Sequence, residues 1–199
     1  MKYRKIFDEF EKIVVQDDLA KFLGVNDDGV IEFSYIDIVK TAGHSCGTVA
    51  GAYLIALEGL KALYKDELPQ RGEIKVELKR APREENAGVV GSVLSNITGA
   101  SVDYGFGGIP TGAFNRRDTL FFAVDIQEDV RLTRLDTQES VSLNYRPGKV
   151  VNPMAILMSA ISPDALQEDK DSFADRFQEM VYTLFKNADK VIEISTPKE

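Results

Sequence analysis

Gly43-His44-Ser45-Cys46-Gly47-Thr48-Val49-Ala50-Gly51-Ala52-Tyr53, continuing as Leu54-Ile-Ala-Leu-Glu-Gly-Leu-Lys-Ala-Leu-Tyr64, is the stretch on which the reading of this chain turns. From Thr48 the apolar positions 49, 53, 56, 57, 60 and 64 recur at helical spacing, so the segment is predicted to be a long buried helix over 48–65. Just before it stand the only histidine and the only cysteine of the chain, two residues apart and flanked by glycines. Cys46 is expected at or next to the helix N-terminus, where unpaired N–H groups and the macrodipole favour a thiolate. His44 is near enough to share a metal ion with it or to take its proton. A lone cysteine is otherwise a small buried hydrophobe, and a lone histidine an ordinary loop residue.

Outward from this segment the pattern alternates between helix and strand. Residues 3–22 set charges against Ile6, Phe10, Ile13, Val14, Leu19 and Phe22, which predicts one or two amphipathic helices ending at Gly24. Val30 to Ser34 reads as a short strand, and Tyr35 to Thr41 as the lead into the His-Cys loop. Glu73-Ile-Lys-Val-Glu-Leu-Lys79 alternates polar and apolar residues, a strand with one solvated face. Asn86 to Thr98 reads as a second buried helix. Gly99 to Gly112 is a glycine-rich loop that follows a helix and lacks a phosphate-binding fingerprint. Thr119 to Asp125 is a nearly continuous apolar run, expected as a central strand, with further strands at 129–137 and 140–144. Met154, Ile156, Leu157 and Met158 form a stripe too apolar for a lone loop, which suits a dimer contact or, equally, core packing within the monomer; Pro163-Asp164 opens a helix, 171–189 is amphipathic and Val191 to Ile194 is a last strand.

This order predicts an α+β fold, helices packed on a mixed β-sheet in a single compact domain. Its parts are an N-terminal helical and strand extension over 1–34, a core over 35–150 and a C-terminal helical extension over 151–199. At 199 residues the chain is long enough for one sizeable core. The net charge of -8, with Lys and Arg scattered, argues against nucleic acid and anionic lipid as partners. One cysteine allows no internal disulfide, which suits a reducing compartment. The N-terminus carries charges where a signal peptide needs an apolar core, and no run reaches the ~20 apolar residues of a membrane span. The protein is therefore expected in the cytoplasm.

Gly43-His-Ser-Cys-Gly, leading into its long helix, resembles the GHxCPG segment of the FmdE family, proteins related to the FmdE component of molybdenum or tungsten formylmethanofuran dehydrogenase. The resemblance runs over roughly 35–145, through Asn96-Ile-Thr98-Gly99, Tyr104-Gly-Phe-Gly-Gly108 and Phe121-Phe122. It implies an α+β core, a homodimer, and a divalent metal ion, zinc first, held by His44 and Cys46. The chain departs from the family at Gly47, where the motif has proline. It departs again at Glu85-Asn86-Ala87 and Thr98-Gly99-Ala100, where cysteines are common, and it has no cysteines for the C-terminal zinc finger of some members.

Two protein ligands are fewer than the three or four of most zinc sites, so Glu84, Glu85 and Asp103 are the carboxylates to consider as a third. Three functions stay open. The first is a metal-dependent protein, or metal-dependent enzyme, acting on a small polar molecule. The second is a non-catalytic subunit or small-molecule-binding domain. The third is metal-free thiol chemistry at Cys46. If the N-termini of the two buried helices converge, a ligand site is expected there, with Arg80 or Arg83 on a carboxylate and Glu85, Asn86, Asp103 and Tyr104 around it; the alternative is that the arginines pair with Glu84 and Glu85 at the surface. The loop at 105–108 would close over that site.

Overall fold

A computed structural model describes residues 3–195. It confirms the α+β class: seven helices, a five-stranded mixed sheet and a two-stranded antiparallel sheet are found among the described residues. No helix there is long and apolar enough to cross a membrane.

The N-terminal segment departs from the helical expectation. After a 3-10 turn at Lys5–Glu9, strand β1 (Ile13–Gln16) precedes a short helix α1 (Asp18–Phe22). The β-branched run Ile13-Val14-Val15 favours extended backbone, with Ile13 and Val15 buried and Val14 exposed, the period-2 alternation of a strand. β1 pairs antiparallel with β2 (Val30–Phe33), Ile13 facing Phe33. Residues 35–42 are also a helix, α2 (Tyr35–Ala42), whose start is a capping box: Ser34 Oγ accepts from the Asp37 N–H, and the Asp37 carboxylate accepts from the Ser34 N–H. Replacing Ser34 by alanine is expected to cost about 1 kcal/mol, read as a lower denaturant midpoint at unchanged m-value.

The predicted long helix is α3 (Gly47–Tyr64), and thirteen of its residues are buried. A helix apolar on nearly every side belongs in the middle of a fold. It lies against the sheet on one side and α2, α4 (Ala87–Thr98) and α6 (Gln167–Lys186) on others.

The large sheet runs β4-β3-β5-β6-β7, where β3 is Ile74–Leu78, β4 Leu120–Phe121, β5 Val130–Arg134, β6 Ser140–Tyr145 and β7 Ile192–Ser195. Only β3–β4 is parallel. Ile74, Val76, Leu78, Val130, Leu132, Val141 and Leu143 are all buried on one face. On the other, Glu77 sits directly opposite Arg131 and takes a bidentate ion pair of 2.7 and 2.8 Å.

The expected central strand at 119–125 is instead a two-residue edge strand. After it Ala123 adopts a left-handed φ of 56° that breaks the extended run. Phe122 packs against Gly91 of α4, and Phe122 and Val124 are half-buried. Helix α5 (Pro153–Ile161), α6 and a short α7 (Ala188–Val191) lead back to β7, which pairs with β6. Phe185 of α6 stacks on Phe10 with ring centroids 3.7 Å apart, in a cluster with Tyr35 and Tyr53 that ties the two ends of the chain together.

Candidate functional site

The His-Cys segment is a rigid connection between two helices. Gly43 ends α2 in the left-handed conformation, φ 77°, that glycine accepts without strain. Cys46 is the N-cap of α3, and its sulfur lies 3.5 Å from the Val49 N–H. Around it the loop is pinned at three points: Tyr35 and Ser45 share a 2.9 Å hydroxyl hydrogen bond, Gln178 Nε2 donates to the Ser45 carbonyl, and the Tyr145 hydroxyl donates to the Gly47 carbonyl. Burial pushes the Tyr35 and Tyr145 phenols well above their ordinary range, and the charge of a Cys46 thiolate acts in the same direction.

His44 is exposed, with Nδ1 3.0 Å from the Ala42 carbonyl, which leaves Nε2 free. It borders a pocket of about 220 Å³ shared with Thr41 and Asn96. Among the described residues no cluster of three or more His, Cys, Asp or Glu side chains is placed to hold a metal. His44 and Cys46 on their own fall short of a closed zinc shell.

The other sequence-predicted site residues fall in different places. Glu85 and Asn86 line a cleft of about 320 Å³ between the first turns of α3 and α4 and the sheet. Asp103 and Tyr104 line a separate groove of about 550 Å³ along the other flank of α4. Arg83 is exposed on the turn before α4 and borders none of the three. The glycine loop folds back on itself, Gly107 bridging Asn115 and Arg117 Nε donating to the Gly105 carbonyl, and residues 105–108 do not line the 320 Å³ cleft. The first turns of α3 and α4 both border the cleft, with Thr48 on one wall and Asn86 and Ala87 on another.

That cleft has an apolar floor from Ile55, Leu78, Val90 and Val130 and a charged rim. Arg80, at the end of β3, and Arg146, at the end of β6, are held side by side by one carboxylate. Asp129 accepts from Arg80 Nη1 at 3.0 Å, from Arg146 Nη1 at 2.5 Å and from the Tyr145 N–H at 3.2 Å. Partial burial pushes the Asp129 carboxyl up, but these donors outweigh it and hold the group below the usual carboxylate range. Arg80 Nε also pairs with Glu85 at 3.0 Å. Glu85 reaches this position from a left-handed φ of 49°, a strained backbone for a non-glycine residue. Neither Nη2 has an acceptor among the described residues, and the Asn86 side chain makes no capping bond to α4. All three groups therefore have donors left for a ligand. The Tyr145 ring closes one wall by packing on α3 at Gly51, where only a glycine fits: a Cβ there would run into it.

Asp129, Tyr145 and Arg146 were not singled out in the sequence. Their positions are 16 and 17 residues apart along the chain and meet only because β5 and β6 pair. No local spacing announces such a cluster.

No family model matches the chain, and no curated protein matches it in sequence. Among solved structures it is similar to an FmdE-like protein, of the tungsten formylmethanofuran dehydrogenase kind, from Syntrophus aciditrophicus, at 14% identity and a TM-score of 0.41. That likeness covers 84% of this chain and 73% of the other.

Proposed function

We propose that this protein binds a small organic anion, a carboxylate with a compact apolar body, in the cleft between α3, α4 and the sheet. The observation that carries this reading is the shared hold of Asp129 on Arg80 and Arg146, which leaves an Nη2 donor on each at the rim of an apolar cavity. Two guanidinium groups fixed in advance lose little freedom on binding and suit the planar, two-oxygen geometry of a carboxylate. Asn86 adds a neutral hydrogen bond, and the floor of Ile55, Leu78, Val90 and Val130 takes the apolar part. The cavity is at the small end of ligand sites, which limits the body to about the size of one ring or a branched chain.

A metal enters as a second reading, on the orientation of His44 Nε2 away from the Ala42 carbonyl contact and the place of Cys46 two residues before Thr48 of the cleft wall. His44 and Cys46 would supply two ligands to a zinc-like ion, and water the remainder.

Thermal melting with phenylacetate, isovalerate, inorganic phosphate and phenethylamine tests the first reading. The two carboxylates are expected to raise Tm in a concentration-dependent way, phosphate to do less because it lacks the apolar body, and the amine to do nothing. Stabilisation by the amine equal to that by the acids would refute it. Elemental analysis of untagged protein beside His44→Ala and Cys46→Ser tests the second: stoichiometric metal in the wild type, lost in both variants, is the expected result, and a metal-free wild type removes it.

A further inference from the structure

Helix α5 is apolar at every position but Ser159, and yet none of its residues is fully buried. Ile156 and Leu157 are half-buried where α5 packs along α6 in a helical hairpin. Met154, Met158 and Ile161 are 63%, 44% and 60% exposed. Their spacing of four and then three residues puts them in one stripe on the outer face of the helix. Leu166, 67% exposed, adds to the apolar surface at the turn into α6. Single exposed hydrophobes are ordinary, whereas a stripe of neighbouring ones with flexible methionines is the kind of surface that partners cover.

The surroundings of the stripe say what covers it. From Asp164 to Glu179 the chain carries six carboxylates against the two cations Lys170 and Arg176. Asp169 is paired with Arg176 and Asp175 with Arg4, while Asp164, Glu168, Asp171 and Glu179 form no ion pair among the described residues. A second copy of this chain would bring the same acidic hairpin against itself and meet like-charge repulsion. A segment with an apolar face and lysine or arginine flanks gains on both counts.

We infer that the α5–α6 hairpin docks a cationic amphipathic helix of another protein, its apolar face on Met154, Met158 and Ile161 and its basic flank toward the free carboxylates of Asp164, Glu168 and Asp171. Such docking pairs the apolar face of one helix with that of another, and it is independent of what the cleft binds.

The test is fluorescence anisotropy of a labelled synthetic Leu/Lys amphipathic helix against the full chain at about 150 mM salt. Binding is expected to weaken roughly tenfold or more in the double variant M158E/I161E, which removes the apolar anchors. That variant is more acidic than the wild type, so attraction by charge alone predicts unchanged or tighter binding, and either result would overturn the inference. Both positions are already exposed, and an unchanged circular dichroism spectrum and Tm verify the fold. A sequence-scrambled peptide of the same charge is expected to bind far more weakly; equal binding also counts against the docking site. A wild type that is dimeric by light scattering at micromolar concentration, and monomeric as I161E, would assign the face to a second copy and overturn the inference as well.

Discussion

Replacing Asp17 by alanine is expected to destabilise this protein by about 3–5 kcal/mol, the cost of stranding a buried charge. Asp17 is only 2% exposed and binds two arginines, Arg71 Nη1 at 2.7 Å and Arg116 Nη2 at 2.8 Å, besides capping α1 through the Ala20 N–H. Arg71 also donates to the Ile97 and Asn96 carbonyls at the C-terminal end of α4, where a cation complements the helix dipole. Arg116 is buried against Gly72 and Gly99. One carboxylate thus joins β1, the loop before β3, the end of α4 and the returning glycine-rich loop. Without it Arg116 keeps its burial and loses its counter-ion. Urea unfolding of Asp17→Ala measures the loss, and the double variant Asp17→Ala/Arg116→Met should be more stable than the single one.

The same carboxylate gives the fold an acid-labile component. Burial pushes the Asp17 carboxyl up, but hydrogen bonds from Arg71 and Ala20 and the Arg116 charge together hold it below its ordinary value. A folded-state pKa below the unfolded one, about 3.9, contributes stability at neutral pH that is lost as pH falls through the folded value. Stability of the wild type should therefore fall more steeply below about pH 5 than that of Asp17→Ala.

Much of this fold is legible in the sequence because long periodic segments report their own packing. α3, α4, β3, β5, β6 and the C-terminal α6 lie within a few residues of where periodicity places them. The misses have local causes. Residues 13–16 were hidden inside a charge-apolar pattern that suits helix and strand alike, until the β-branched run is weighed. α2 was missed although Ser34-x-x-Asp37 is a capping signature. The 119–125 run has strand composition, but its pairing is decided by Phe122 turning toward Gly91. Around the cleft, Arg80, Glu85 and Asn86 stand out in the sequence because they flank a predicted helix start, whereas Arg83, Asp103 and Tyr104, grouped with them on sequence alone, lie outside it. Asp129, Tyr145 and Arg146 do not stand out, since their meeting depends on strand register. His44 and Cys46 stood out by rarity alone, which says nothing about the face on which each side chain ends.

Removing both cleft arginines is expected to weaken carboxylate binding by about a hundredfold or more. Each charge-assisted hydrogen bond to a carboxylate contributes about 1.5–3 kcal/mol, and a factor of ten is about 1.4 kcal/mol. The two side chains act on one ligand group through one organising carboxylate, Asp129, so their effects should not be additive. Arg80→Ala alone also frees Glu85, leaving an acid at the rim that repels the ligand; Arg146→Ala leaves Arg80 paired as before. The Arg80→Ala loss should accordingly be the larger. The double variant should also lose some stability, since the partly buried Asp129 loses both of its counter-ions.

Calorimetric titration of phenylacetate into the wild type and into Arg80→Ala/Arg146→Ala, at matched pH and salt, puts the cleft to the most direct test. Saturable one-to-one binding in the wild type, with heat lost in a double variant that keeps the wild-type circular dichroism spectrum at the titration temperature, is the predicted result. Equal binding by the two proteins, or none by the wild type at millimolar ligand, would contradict an anion site at Arg80 and Arg146.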